Sequence, residues 1–244
     1  MSADLRAVPG SHTARRIGIA LFLAGFATFS LLYCVQPLLP LFANDFGLAP
    51  ATSALALSLA TGALAPAILA AGALSERVDR RRLMFVSMTA AAVLNLAAAA
   101  MPDWRALLVV RALEGVALGG VPAVAMAYLA DTIAPHGLGR AMGRYVGGTA
   151  FGGMAGRVMV GALAEAFGWR MAVGVMSVLD LAAAAAFVAL LPRAPARAPE
   201  AQAARRGAMG VREHLAAWRA HLARPPLRAL FGIAFLAMGV FVTV

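Results

Sequence analysis

Of 244 residues, 62% are hydrophobic and only 13% charged, with a mean hydropathy of +0.81. A soluble domain is about half apolar and a quarter charged, so this excess excludes an ordinary water-soluble core and points to the bilayer as solvent. The formal net charge is +10 and all 21 basic residues are arginine, but they cluster between apolar runs, which favours membrane topology over a nucleic-acid partner.

Seven apolar stretches approach the length of about 20 residues that a spanning helix needs. They cover 17–39, 52–74, 83–101, 105–130, 142–164, 170–191 and 227–244. Outer-membrane strands are about 10 residues long and alternate, so these continuous stretches predict an all-α integral membrane protein. The expected organisation is an N-terminal tail (1–16), a six-span bundle (17–191), a linker (192–226) and an incomplete seventh span (227–244). The single cysteine, Cys34, excludes an intrachain disulfide. "LLYC" is not a cleavage site, because Tyr33 is too bulky for the position before the cysteine and the apolar run is too long for a signal peptide.

Arginine placement predicts orientation. The tail carries three, the second connection four, the fourth two and the sixth eight, giving 17 on one side. Arg105 and Arg170 alone lie on the other side, and Arg111 and Arg157 fall inside spans. The expectation is a multi-pass protein of the inner or plasma membrane with a cytoplasmic N-terminus and lipid as its surroundings.

The second connection, in "GALSERVDRRRLM" (72–84), holds six charges in seven residues. Such a burst can be a simple positive-inside anchor. It also belongs to a repeat: "GALSERVDRR" (72–81) matches "GALAEAFGWR" (161–170), and "VLNLAAAA" (93–100) matches "VLDLAAAA" (178–185). Both matches set spans 2 and 3 against spans 5 and 6. Three spans repeated at an odd offset point in opposite directions, which is the inverted repeat of many secondary transporters. Glycine pairs spaced by three in "GVALGG" and "GGTAFGGMAG" suit close helix packing.

Charges inside a bilayer are expensive and mark function or pairing. Arg111, Glu114, Arg157 and Asp180 are four such groups, at depths that agree within about 6 Å at 1.5 Å per residue. Arg111 and Glu114 stand three apart on one helix and are expected to pair. The linker carries "RAPARAPEAQAARRG", of flexible composition. It is followed by "VREHLAAWRAHLA", whose Val211, Leu215, Trp218 and Leu222 predict an interfacial amphipathic helix. His214 and His221 are two turns apart there and read as solvated surface groups, with no metal site expected. No nucleophile–base pair, metal-ligand cluster or phosphate loop occurs, so no enzyme activity and no cofactor is expected.

These motifs together resemble the major facilitator superfamily. "GALSERVDRRR" is similar to its loop 2–3 signature through Gly72, Glu76, Arg77, Arg80 and Arg81. "RALEGVALGGVPAVAMAYLAD" is similar to the span-4 signature through Arg111 and Gly115, and "GGTAFGGMAGR" to the glycine-rich span-5 signature of drug:proton antiporters. "YCVQPLLPLFANDFG" and "GVPAVAMAYLAD" look most like the YnfM-type group of bacterial inner-membrane transporters. The resemblance covers about residues 15–244. Departures are Asp79 where the family has Gly, Glu76 for Asp, Glu114 for Gln, and Gly152-Gly153 for a Gly-Pro pair.

The resemblance implies a six-helix N-terminal bundle built as a 3+3 inverted repeat, together with the start of a seventh helix. The chain is then one half of a twelve-span transporter, with a separately encoded C-terminal half or a homodimer as the expected partner. The implied function is proton-coupled, alternating-access transport of small molecules, leaning to export. The alternative is a non-transporting fragment of a split or frameshifted gene. Arg111 and Glu114 are the implied substrate or proton pathway, with Gln36, Tyr33, Tyr145 and Thr149 as further cavity candidates. Arg157 and Asp180 are expected to form a structural pair. The loop 2–3 motif, Gly72, Glu76, Arg77, Asp79, Arg80 and Arg81, is expected to act as a cytoplasmic latch. In that latch an arginine pairs with Asp131 and the acidic residue caps a helix of the second half.

Overall fold

The computed structural model describes residues 7–192, Pro9 excepted, together with 219, 220 and 223–243. They fall into two separate units, divided after Arg197. The proposed amphipathic helix over 211–222 lies outside the described residues, apart from helical Arg219 and Ala220.

In the first unit, span 1 runs over His12–Asp45 in three pieces: α1 (His12–Tyr33), a 3-10 turn (Gln36–Leu38) and α2 (Leu39–Asp45). Pro37 and Pro40 cause the interruption, since each lacks a backbone donor. Span 2, Pro50–Leu74, joins a short α3 (Pro50–Ser53) to α4 (Leu55–Leu74). Span 3 is α5 (Arg80–Ala99). Span 4 is split into α6 (Trp104–Leu118) and α7 (Gly120–Thr132), because Pro122 removes a donor near the break. Span 5 is α8 (Pro135–Phe167) and span 6 is α9 (Trp169–Leu190).

Side chains set several of these ends. Ser11 caps α1 by accepting from the Ala14 amide at 3.2 Å, and Asp103 caps α6 through Ala106 at 2.9 Å. Spans 5 and 6 turn sharply at Gly168, whose φ of 81° only glycine adopts freely. Spans 1, 2, 3, 4 and 6 are long and apolar enough to cross a membrane. Span 5 is the longest helix, at 33 residues, but its glycines and arginines hold it below that hydropathy.

Spans 1 and 5, 2 and 4, 3 and 4, 3 and 6, and 1 and 6 are the most extensively packed pairs. Exchanging spans 1, 2, 3 for 4, 5, 6 maps this set of pairs onto itself, as an inverted three-span repeat requires. The close pairs are bridged by glycines. Gly148, Gly152 and Gly156 of span 5 lie against the backbone of Phe22, Phe26 and Ser30 of span 1, where a Cβ has no room.

The bundle holds a small polar group within an apolar interior, and its surface is apolar as well. Arg111, Glu114, Asn95, Asp180, Ser30 and Ser177 are buried, while Leu69, Val109, Val116, Val158 and Val178 are exposed. This suits a chain whose solvent is hydrocarbon. The second unit contains α10 (Pro225–Thr243), opened by Pro225 and Pro226 and exposing Leu230, Ile233 and Leu236.

Candidate functional site

The end of the bundle bearing the N-terminal segment and the span 2–3 connection is called here the tail side, and the other the far side. Between them, α1 stops at Tyr33 and leaves its last carbonyls without helical partners. Arg111 of span 4, fully buried, supplies donors. Its Nη2 donates to the Leu32 carbonyl at 3.1 Å, and its Nη1 reaches the Leu31 carbonyl at 3.4 Å. Its Nε donates to the Ala56 carbonyl of span 2 at 3.2 Å. The same Nη1 pairs with Glu114 Oε2 at 2.6 Å. A cation at a helix C-terminus is favourable, so Arg111 ties spans 1, 2 and 4 together by electrostatics. Glu114 is equally buried, and its Oε1 has no hydrogen-bond partner among the described residues.

The pair extends into a buried polar network. Asn95 of span 3 offers Oδ1 to Arg111 at 3.5 Å and to the Cys34 thiol at 3.7 Å, and its amide donates to Ser177 of span 6 at 2.9 Å. One turn further along span 6, Asp180 accepts from Ser30 at 3.0 and 3.2 Å. Reading charges alone missed Asn95, Ser30, Ser177 and Cys34. The repeat held the signal for one of them: Asn95 of "VLNLAAAA" is the counterpart of Asp180 in "VLDLAAAA".

Arg157 and Asp180 do not form the expected pair. Asp180 is fully buried and held by Ser30. Arg157 lies over the Tyr33 ring, its guanidinium carbon 4.6 Å from the centroid. Equal depth did not bring them together, because the two side chains leave their helices in different directions. Arg111 and Glu114 therefore belong to the hydrogen-bonded network, Asp180 stands with Ser30, and Arg157 with Tyr33.

Tyr33 is buried, and Gln36 opens the 3-10 turn three residues later, half-buried with its Oε1 unpartnered. Tyr145 belongs instead to the tail-side apolar cluster with Ile17 and Tyr128. Thr149, half-buried, donates to the Val146 carbonyl of its own helix at 2.7 Å and packs against Gly25 of span 1. The cavity candidates thus occupy two levels of the bundle.

On the tail side, Asp79 is the N-cap of span 3 and accepts from the Arg82 amide at 2.8 Å, with φ −59°. Its place needs no glycine conformation, which explains why Asp stands there. Arg80 pairs with Asp131 at the end of span 4, 2.6 Å apart. Arg81 donates to the Val188 carbonyl and Arg16 to the Ala189 carbonyl at 2.9 Å, so two cations close the C-terminus of span 6. Glu76 and Arg77 occupy the turn between spans 2 and 3 without a side-chain hydrogen bond among the described residues. Gly72 lies near the end of span 2, where a Cβ would meet nothing within 4 Å. Ala7 bridges to the span 4–5 junction, donating to Thr132 at 2.8 Å and accepting from Ala134 at 3.1 Å.

On the far side, Asp45 accepts from Trp169 Nε1 at 2.5 Å and lies 3.7 Å from Arg170. Arg170 stacks on the Trp169 ring at 4.2 Å, and Phe42 meets Trp169 edge-on at 5.0 Å. Phe46 and Trp104 complete the aromatic group. Among the described residues, no group of three or more His, Cys, Asp or Glu side chains is placed to hold a metal ion.

Comparison with known proteins agrees with this geometry. Residues 21–244 match the family model described as Major Facilitator Superfamily. The chain is 42% identical over 230 residues to the uncharacterized MFS-type transporter YybF of Bacillus subtilis, covering 94% of this chain and 55% of that protein. It is 38% identical over 234 residues to the inner membrane transport protein YnfM of Escherichia coli, covering 96% and 54%. The chain therefore spans about half the length of the curated relatives it matches. Its fold is similar to that of a peptide transporter POT mutant in complex with alafosfalin, with a TM-score of 0.63 at 14% identity, covering 99% of this chain and 48% of that one.

Proposed function

Because this chain belongs to the major facilitator superfamily, we propose that it forms the six-span N-terminal half of a proton-coupled secondary transporter of small molecules, working by alternating access in the direction of export. The observation that carries the reading is the buried Arg111–Glu114 pair, with one carboxylate oxygen unpartnered. A carboxylate held next to a fixed cation inside the membrane is suited to take up and release a proton, and Arg111 keeps it in place in either state. The arginine asymmetry supports an inner-membrane protein with the tail side in the cytoplasm. The Arg80–Asp131 contact supports a latch there. A second six-span half, in a longer protein, a separate chain or a second copy, completes the transport path.

The test is efflux from cells producing the protein, loaded in turn with ethidium and carboxyfluorescein. Efflux of at least one dye is expected, stopped by a protonophore. Glu114→Gln is expected to abolish the dependence on the proton gradient while leaving the protein in the membrane. Undiminished coupling in Glu114→Gln removes Glu114 from the proton path, and efflux of neither dye overturns the reading of the chain as a transporter of such compounds.

A further inference from the structure

We infer that Arg157, stacked on Tyr33 where the broken segment of span 1 packs on span 5, is a binding site for the anionic group of an organic substrate. The inference rests on the transport reading, whose substrate it assigns to a chemical class.

Arg157 lies ten residues before the far end of span 5, or about 15 Å at 1.5 Å per residue, well inside the bilayer. A cation at that depth needs a partner, an anion or a set of carbonyls. The buried acids nearest in depth are already engaged, Glu114 by Arg111 and Asp180 by Ser30, and Arg157 has no ion pair among the described residues. Its Nε and Nη2 are both buried and both without a hydrogen-bond partner among the described residues. These two nitrogens form the edge of the guanidinium that grips a carboxylate or phosphate through two parallel hydrogen bonds. The opposite requirement, that the fork be held still, is met by the Tyr33 ring 4.6 Å below it, while Gly153 on the preceding turn makes room for that ring.

Gln36 stands on the broken segment of span 1, and its Oε1, an acceptor, gives an anion no hydrogen bond, so the residue serves here as a position near Arg157 and not as a ligand. That segment packs on span 5, where Pro37 lies 3.6 Å from the Cβ position of Gly161. Unpartnered buried polar atoms are rare in folded proteins and call for a ligand or a role. The donor edge is shielded here, so the site is closed in this conformation.

The test is charge-selective thiol labelling in isolated membranes. In the full chain carrying Cys34→Ala, Gln36→Cys is treated with an anionic and a cationic methanethiosulfonate of similar size, each rate being normalised to its rate with a free thiol. Preference for the anionic reagent by about tenfold is expected, from the local positive potential. Arg157→Gln should remove the preference and Arg157→Lys should retain it. Benzoate should slow the anionic reagent at Gln36→Cys, and its neutral analogue benzamide should not. A preference for the cationic reagent, a preference unchanged by Arg157→Gln, or no reaction with either reagent overturns the site. If Arg157→Gln fails to accumulate, the benzoate–benzamide comparison in the Arg157 protein still decides. No transport is measured, so failure here leaves the proton-coupling test separate.

Discussion

Arg80 and Asp131 meet at 2.6 Å and join the start of span 3 to the end of span 4 on the tail side. The far side holds an equivalent arrangement, in which Asp45 at the end of span 1 receives Trp169 and Arg170 from the start of span 6. The inverted repeat relates the two: span 1 corresponds to span 4 and span 3 to span 6. "FAND" ending at Asp45 takes the place of "YLAD" ending at Asp131. Each three-span unit thus closes on its neighbour through an acid at one helix end and donors at the next helix start.

The tail-side pair is partly exposed, with 14% and 30% of the two side chains accessible, so its contribution to stability is about 1 kcal/mol or less. Asp131→Asn should therefore leave unfolding in detergent nearly unchanged. A latch role predicts instead that efflux falls by about fivefold or more, the scale of a typical conformational coupling. Exchanging the charges, Arg80→Asp with Asp131→Arg, should recover part of the lost rate. Equal losses in the singles and the exchange would assign the effect to something other than the pair.

Trp169→Phe separates two contributions on the far side. The ring contacts with Phe42 and Phe46 survive, whereas the Nε1 donor to Asp45 is lost. A hydrogen bond to a carboxylate as exposed as Asp45, 45% accessible, contributes about 1 kcal/mol, and a loss on that scale is expected in detergent unfolding followed by circular dichroism. Trp169→Leu, which removes the ring as well, should cost more. Equal stability of Trp169→Phe and the parent would show that the aromatic packing alone holds this end.

Gly152 and Gly147 stand five residues apart on span 5 and should respond in opposite ways. A Cβ at Gly152 would meet the Phe26 backbone, with its Cα at 2.6 Å, and the backbone of span 1 cannot rotate away as a side chain would. Gly152→Val is expected to cost about 1–3 kcal/mol or more by overpacking, read as loss of folded protein after detergent extraction. A Cβ at Gly147 meets nothing within 4 Å, so Gly147→Ala should stabilise the helix by about 0.5–1 kcal/mol. Similar behaviour of the two would mean that spans 1 and 5 are not in close contact.

Much of this arrangement was legible in the residues. Span length and apolarity marked each helix and three-residue spacing paired Arg111 with Glu114; of the prolines that read as helix breaks, Pro37, Pro40 and Pro122 fall at breaks, whereas Pro66 lies inside α4. Depth was also legible, but direction around a helix was not. Arg157 and Asp180 share a depth, yet one faces Tyr33 and the other Ser30, and only the packing of spans 1, 5 and 6 decides this. Asn95 was overlooked because it carries no charge, although it sits at the repeat position of Asp180 and links spans 1, 3, 4 and 6. The carbonyls that anchor Arg111 have no sequence signature, since every residue has one.

Those carbonyls predict an asymmetry between the members of the central pair. Arg111 has acceptors besides Glu114: the carbonyls of Leu31, Leu32 and Ala56, and Asn95 Oδ1. Among the described residues, Glu114 has only Arg111 as a hydrogen-bond partner. Arg111→Met strands a buried carboxylate and leaves the end of α1 without its donors, and breaking a buried pair this way costs about 3–5 kcal/mol. Glu114→Gln leaves Arg111 with its other acceptors and offers an amide oxygen in place of the lost carboxylate, so its cost should be distinctly smaller. The double substitution should cost less than the two singles combined, with a coupling of about 0.5–3 kcal/mol, because the stranded charge is gone. Unfolding of the four proteins in a denaturing detergent series, read by helical content, measures all three quantities. Additive losses would show that the two side chains do not act as a pair, and a larger loss from Glu114→Gln than from Arg111→Met would remove the carbonyls of spans 1 and 2 as the anchor of Arg111.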